Sequence, residues 1–506
     1  MALEVSSSGV TYALLAMVII FLFVKFMEGI NRKHPSPPGP WGWPFVGNLF
    51  QLGENSHLSL TQMRASYGDV MKLKLGFVPV VVLSGFETVK EALLKKGDTF
   101  AGRPKMIIFS FFADGKSMSF SENVGESWKV QKKIAKNSLR SLAKSEAKSS
   151  TFSCLLEEHV SDEASELVKR FLELSPKNKS FNPFSSIVSA VGNVVCALCF
   201  GKRYDHNDAE FIHLLKINSD LLKAASATYP ADYIPGLRYL PLPGAKLARV
   251  FYTNLNNFIA KCVKEHYSTF DKDHIRDITD ALINLCESKH PDGKVSRLSD
   301  EKIIITVNDV FGAGFETIAT TLFWCLLYLI KYPDMQTIIQ EEIDEKIGNR
   351  LPKFDDRKEL HYSEAFINEV FRHTSFMAFP IPHCTTEDTV LNGYFIPRKT
   401  TILLNFYQIN HDETMWKNAD LFIPERFLDF KGELDKSKVD KVMIFGMGTR
   451  KCIGEDVGRN EVFLILTTIL QQLRLEKDHE DTLDMTPLCG FIMKPKPYSL
   501  IATQRT

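Results

Sequence analysis

FGMGTRKCIG, residues 445–454, is the stretch on which the fold turns. It holds a single cysteine, Cys452, with Phe445, the Arg450–Lys451 pair and three glycines. A helical pattern, IGEDVGRNEVFLILTTILQQL, begins at residue 453. Cys452 therefore sits at a helix N-terminus, where free N–H groups and the positive dipole end favour a thiolate. Gly446, Gly448 and Gly454 let the backbone turn tightly and approach a flat body closely. Arg450 is spaced to reach an acidic group on that body, and Phe445 to pack on its face or edge. A disulfide needs none of this. A haem fits each requirement: flat, bearing propionates, with an iron that accepts a thiolate.

The whole chain supports a large body. It has 506 residues, with 61 basic and 61 acidic, so no basic excess points to a nucleic-acid partner. A 44% hydrophobic composition with 37 phenylalanines can fill a large core. Nine cysteines without regular spacing suit free thiols in a reducing compartment better than a disulfide scaffold. Residues 9–27 form an apolar run whose one charge is Lys25, the length of a transmembrane helix. The basic flank Arg32, Lys33 and His34 belongs in the cytosol, which puts the N-terminus in the lumen. Three parts are expected: a membrane anchor with its flank (1–34), a stiff proline-rich hinge (35–48) and a soluble body (49–506).

Within the body, residues 70–85 read as a β-hairpin broken at Gly-Phe-Val-Pro. From residue 86 to about 355 the pattern is mostly helical. Residues 299–331 predict one long helix, apolar nearly all round and hence central, with Ser299 as N-cap and Pro333 past its end. Residues 389–397 and 400–410 read as strands, and 240–246 as a surface loop. The fold class is mainly α with a minor β-sheet region.

Phe445, Gly448, Cys452 and Gly454 match F-x-x-G-x-x-x-C-x-G in full, and the stretch resembles the haem-binding signature of the cytochrome P-450 family. Further motifs follow in family order. Glu369-x-x-Arg372 and Arg426 resemble the family's buried Glu–Arg–Arg network beneath the haem, a structural role. AGFET, residues 313–317, resembles its acid–alcohol pair. That likeness implies that Thr317 hydrogen-bonds activated oxygen and that Glu316 relays protons to it. Trp128 and Lys132 match W-x-x-x-R, whose members touch a propionate, with lysine in place of arginine. Lys129, Lys132, Lys133 and Lys136 share a basic helix face fit for an acidic electron donor. His383 matches a propionate-binding position.

The likeness is greatest to the vertebrate family-1 microsomal branch, which oxidises planar aromatic compounds. It implies a cytochrome P-450 fold preceded by the transmembrane helix, and a pocket lined by Phe109, Phe112, Ser119, Phe120 and Leu221. The opposite wall would come from Asp309, Ala313, Thr317, Ile381 and Phe491. Leu221 and Met377 depart from the branch, which is usually aromatic at the first and smaller at the second. The implied cofactor is haem b with Cys452 as axial thiolate, and O₂ is co-substrate. Electrons from NADPH would come through NADPH–cytochrome P-450 reductase, assisted by cytochrome b5. The implied location is the endoplasmic reticulum membrane, with the body on the cytosolic face. Planar aromatic xenobiotics head the implied substrates, with steroids and fatty acids as further candidates. Two other readings stand beside this one: a reductase-independent haem-thiolate isomerase or dehydratase, and a membrane-anchored haem sensor without activity.

Overall fold

The computed structural model describes residues 16, 34–110, 112–143, 156–205, 208–215, 230–240, 243–287, 299–478 and 482–505. Apart from residue 16, the predicted anchor helix (9–27) lies outside these residues, as does Leu221.

The architecture is mainly helical with three small sheets. The principal helices are α1 (Glu126–Leu142), α2 (Leu156–Leu174), α3 (Phe184–Phe200), α4 (Pro243–Thr269), α5 (Asp300–Lys331), α6 (Pro333–Lys346), α7 (His361–Thr374) and α8 (Glu455–Gln472). The central element is α5, 32 residues long. Among the described residues it is the one helix long and apolar enough to cross a membrane, but here it is buried inside the fold. Ser299 caps its first turn by accepting from the Lys302 N–H, and Pro333 opens the next helix. α5 packs on α3, whose residues from Ser186 to Phe200 are all buried, and on α4, α7 and α8. Apolar side chains from these helices merge into one large core.

The largest sheet has strand order β1-β2-β6-β3. β1 (Val70–Leu75) and β2 (Val78–Leu83) form the predicted hairpin, but only Gly76 and Phe77 make the turn. Val78 and Pro79 belong to the strand. Pro79 is tolerated because β6 (Thr401–Leu404) pairs with β2 only from Val80 onward. β3 (His383–Cys384) completes the sheet. β4 (Thr389–Leu391) and β5 (Tyr394–Ile396) close through Asn392-Gly393, both at positive φ, the favoured two-residue turn. β7 (Leu473–Lys477) pairs with β8 (Leu500–Gln504) near the C-terminus.

Two expectations are corrected. The run 400–410 is a strand only to Leu404; Asn405 then accepts from the Gln408 N–H and starts the helical turn Phe406–Asn410. The segment 240–246 is not a loop throughout, since α4 begins at Pro243, where proline forfeits only an N–H that has no helical partner. The proline-rich segment 35–48 lies against the body: Phe395 N–H donates to Pro35 O, Lys72 N–H to Pro38 O and Asn48 N–H to Lys74 O.

Glu369, Arg372 and Arg426 meet in the interior. Glu369 and Arg372 are fully buried, and their forked pair has N···O distances of 2.7 and 2.8 Å. Arg426 Nε reaches Glu369 Oε1 at 3.1 Å, and the Ile423 N–H donates to the same oxygen at 2.8 Å. The remaining guanidinium N–H groups donate to the carbonyls of Asn410, Lys417, Asn418 and Leu421. The network thus stitches α7 to the segment 410–427, which leads to the cysteine loop. Glu369→Ala strands the buried Arg372 guanidinium and takes a partner from Arg426. It should lower stability by about 3–5 kcal/mol, measured by urea unfolding; a loss under about 1 kcal/mol would contradict this.

Candidate active site

Cys452 lies between the turn Gly448–Arg450 and α8. The loop closes on itself: Cys452 N–H donates to Phe445 O at 2.9 Å and Lys451 N–H to Gly448 O at 3.1 Å. Gly448 has φ +69°, and a Cβ there would stand 1.9 Å from Leu93 O. Glycine is therefore required for the loop to lie on the helical turn Glu91–Lys95. Lys132 Nζ grips the loop from α1, donating to Thr449 O at 2.7 Å and Lys451 O at 2.8 Å. Phe445 packs edge-on against Phe371, 5.5 Å between centroids, with the Arg459 guanidinium 4.8 Å above its ring.

The Cys452 side chain is exposed, yet the protein surrounds it, so it faces an internal space. Burial pushes its thiol up, and the Gly454 N–H pulls it back only in part. In the protein alone, burial thus outweighs the helix-end effect expected from sequence. A metal ion at the sulfur would reverse that balance. A Cβ on Gly454 would meet nothing within 4 Å, so the chain itself leaves this side of the loop open.

Helix α5 faces the same interior. Gly312 and Ala313 are exposed in the midst of an otherwise buried helix, and a Cβ on Gly312 would also meet nothing. Thr317, on the face of Asp309 and Ala313, donates from Oγ1 to Ala313 O at 2.8 Å. Its lone pairs remain free to accept. Glu316, about 100° round the helix, is buried and paired with Lys494 instead. The two neighbours in sequence therefore point in different directions.

Four cationic or protonatable side chains gather beside the cysteine loop: Arg103, Lys132, His383 and Arg450. Burial, then Arg450 nearby, pushes Arg103 well down. Burial, then Arg450, brings Lys132 to about 8. Burial, then Arg103, holds His383 far below its ordinary range. Burial lowers Arg450 to about 10, partly offset by Asp309. Arg103, Lys132 and Arg450 carry positive charge that a flat ligand with two carboxylates would neutralise, while His383 stands among them as a neutral ring. With an open thiol, an open helix face and a glycine-cleared loop, these residues fit a haem.

The predicted propionate contacts are otherwise engaged in this structure. Arg450 donates to Ala101 O, Met118 O and Ser121 O, with its guanidinium 4.4 Å above the Trp128 ring. Trp128 Nε1 donates to Met118 O at 2.9 Å. His383 Nδ1 meets Phe100 O at 2.7 Å. Arg103 was not singled out from sequence; it donates to the carbonyls of Ser119, Ile381 and Pro382. Its signal was an arginine within the otherwise uncharged run TFAGRP, residues 99–104.

Of the predicted pocket residues, Phe120 packs on Phe109 and stacks on Phe112, with centroids 5.0 and 4.6 Å apart. Asp309 does not stand free on the wall. It accepts from Ser117 Oγ and, at 2.6 Å, from Met118 N–H, which latches this loop to α5. Phe491 is half-buried in the loop before β8. A cavity of about 460 Å³ touches Phe109 and Phe120 but reaches outward to Lys105, Asp232 and Arg238, away from Cys452. A separate cluster, His266, Asp277 and Asp280, has metal-ligand types, but Arg276 already pairs with Asp280 and His266 with Asp277.

Burial raises the Asp309 carboxyl from 3.8 to about 6. A raised acid contributes stability that is complete below about pH 3.8 and lost as pH rises through about 6. Asp309→Asn stays neutral throughout. Its stability relative to the wild type should therefore improve between pH 4.5 and 7, read by urea unfolding; a constant difference would contradict this.

The family model for cytochrome P-450 matches residues 37–502. The chain is 46% identical to cytochrome P-450 1A5 of Gallus gallus over 97% of this chain and 95% of that protein. It is 46% identical to cytochrome P-450 1A1 of Homo sapiens, over 96% of each. It is 45% identical to cytochrome P-450 1A1 of Sparus aurata, over 99% and 97%. A match across nearly the whole chain, onto a core that leaves space beside an open cysteine, makes this protein a member of the cytochrome P-450 family, the haem-thiolate monooxygenases.

Proposed function

We propose that this monooxygenase acts at the endoplasmic reticulum membrane on small, hydrophobic, planar aromatic molecules, xenobiotics among them. Its electrons would come from NADPH through a flavoprotein reductase, with cytochrome b5 as a second donor. The observation that carries the substrate class is the packed trio Phe109, Phe112 and Phe120, a flat aromatic wall in the loop latched by Asp309. Such a wall favours flat apolar guests through offset stacking.

The haem supplies the redox chemistry, RH + O₂ + two electrons + two protons giving ROH + H₂O. Cys452 would supply the thiolate that holds the iron, and its loop is fixed by Gly448 against Leu93 and by Lys132 on its carbonyls. Arg103, His383, Arg450, Lys132 and Trp128 are the residues that would hold the carboxylate edge of the haem. Thr317 offers its lone pairs at the open face of α5, and Glu316 holds a proton-exchanging carboxyl behind it. Lys129, Lys133 and Lys136, on the outer side of α1, form the docking patch for the reductase. Residues 9–27 anchor the chain in lipid.

The test is reconstitution of the full chain with haem, lipid and reductase, followed by a panel of planar and non-planar aromatic substrates. NADPH consumption and hydroxylated product should rise with the planar members, and Phe120→Ala should redistribute the products. NADPH-independent turnover of a peroxide substrate would favour an isomerase instead, and an unchanged product profile would remove Phe120 from the pocket.

A further inference from the structure

Glu316 is 3% exposed in the middle of α5. A carboxylate there is costly unless a cation meets it. That cation is Lys494, whose Nζ pairs with Glu316 Oε1 from a loop far along the chain. The lysine is itself held firmly. Its backbone exchanges hydrogen bonds with Leu488, at 2.7 and 3.1 Å. Its neighbour Met493 donates to Phe376 O at 2.7 Å and accepts from Trp324 Nε1 at 3.0 Å. The Lys494 ammonium also lies 5.7 Å from the Phe184 ring centroid. A fixed ammonium on a fixed loop sets the direction of the carboxyl it meets.

We propose that Lys494 is a positioning residue for Glu316, holding the acid of the acid–alcohol pair turned away from Thr317 until a proton is needed. This rests on the reading of Glu316 as the proton-exchanging group. Phe491 belongs to the same loop, so a guest that presses on it also presses on the support of the acid. Without Lys494, Glu316 loses the contact that fixes its position, and proton delivery falters. Electrons then escape as peroxide, O₂ + two electrons + two protons giving H₂O₂, in place of substrate oxidation.

The experiment compares haem-loaded Lys494→Met, Lys494→Arg, Glu316→Gln and the Glu316→Gln/Lys494→Met double variant, each with reductase. Product and peroxide per NADPH are measured in H₂O and D₂O, and thermal unfolding is followed separately. Lys494→Met should lose product per NADPH by about tenfold, with peroxide rising to match and a larger solvent isotope effect. Lys494→Arg should restore most of the coupling. The unfolding shifts should be non-additive, the double variant losing less than the two single variants together. If Glu316→Gln uncouples but Lys494→Met and a milder Lys494→Gln behave like wild type, the lysine is a passive partner and the inference fails. If Glu316→Gln is itself silent, the reading of the acid fails first. Additive unfolding shifts would show that the ion pair does not form.

Discussion

Buried positive charge with Asp309 as its nearby carboxylate is the constraint that organises this molecule. Arg103, Lys132, His383 and Arg450 converge beside an open thiol, and burial pushes each toward its neutral form. Their N–H groups tie together parts of the chain that are remote in sequence. Lys132 holds α1 to the cysteine loop. Arg450 joins that loop to residues 101–121. The peptide of Met118 is the common node: its carbonyl accepts from Trp128 and Arg450, while its N–H donates to Asp309 on α5. The two carboxylates of a haem would neutralise this assembly as the ring fills the space.

Farther out, a second charged knot carries the mechanical load. Glu369, Arg372 and Arg426 are satisfied almost wholly by one another and by backbone carbonyls. Losing a member costs more than the pair itself contributes, because the remaining charges stay buried. The fold thus has two ionic centres of opposite design. The one at Glu369 is complete within the chain; the one beside Cys452 gathers Arg103, Lys132 and Arg450 with Asp309 as the nearby carboxylate.

Much of this was legible in the sequence. The glycine-flanked Cys452 and the capped apolar run that became α5 announce themselves through local chemistry. So does the pairing of Glu369 with Arg372 at helical spacing. The run 389–397, read as a strand, instead folds back at Asn392-Gly393 into two. What stayed hidden depends on partners remote in sequence. Arg450 is spaced like a propionate ligand, yet its donors go to carbonyls more than 300 residues away. Asp309 looked like a free pocket residue, but it latches Ser117 and Met118. Glu316 and Thr317 are adjacent in the chain, and helical rotation sends them to different surroundings. The strand expected through residue 410 ended at Leu404 because one asparagine could cap a turn.

The central claim is that Cys452 sulfur, as thiolate, is the axial ligand of the haem iron. Its most direct test is the absorbance of the reduced, carbon-monoxide-bound protein, wild type against Cys452→His. The account predicts the red-shifted band of a thiolate-ligated haem in the wild type, and its loss when histidine replaces the sulfur. The same band, undiminished in Cys452→His, would contradict it.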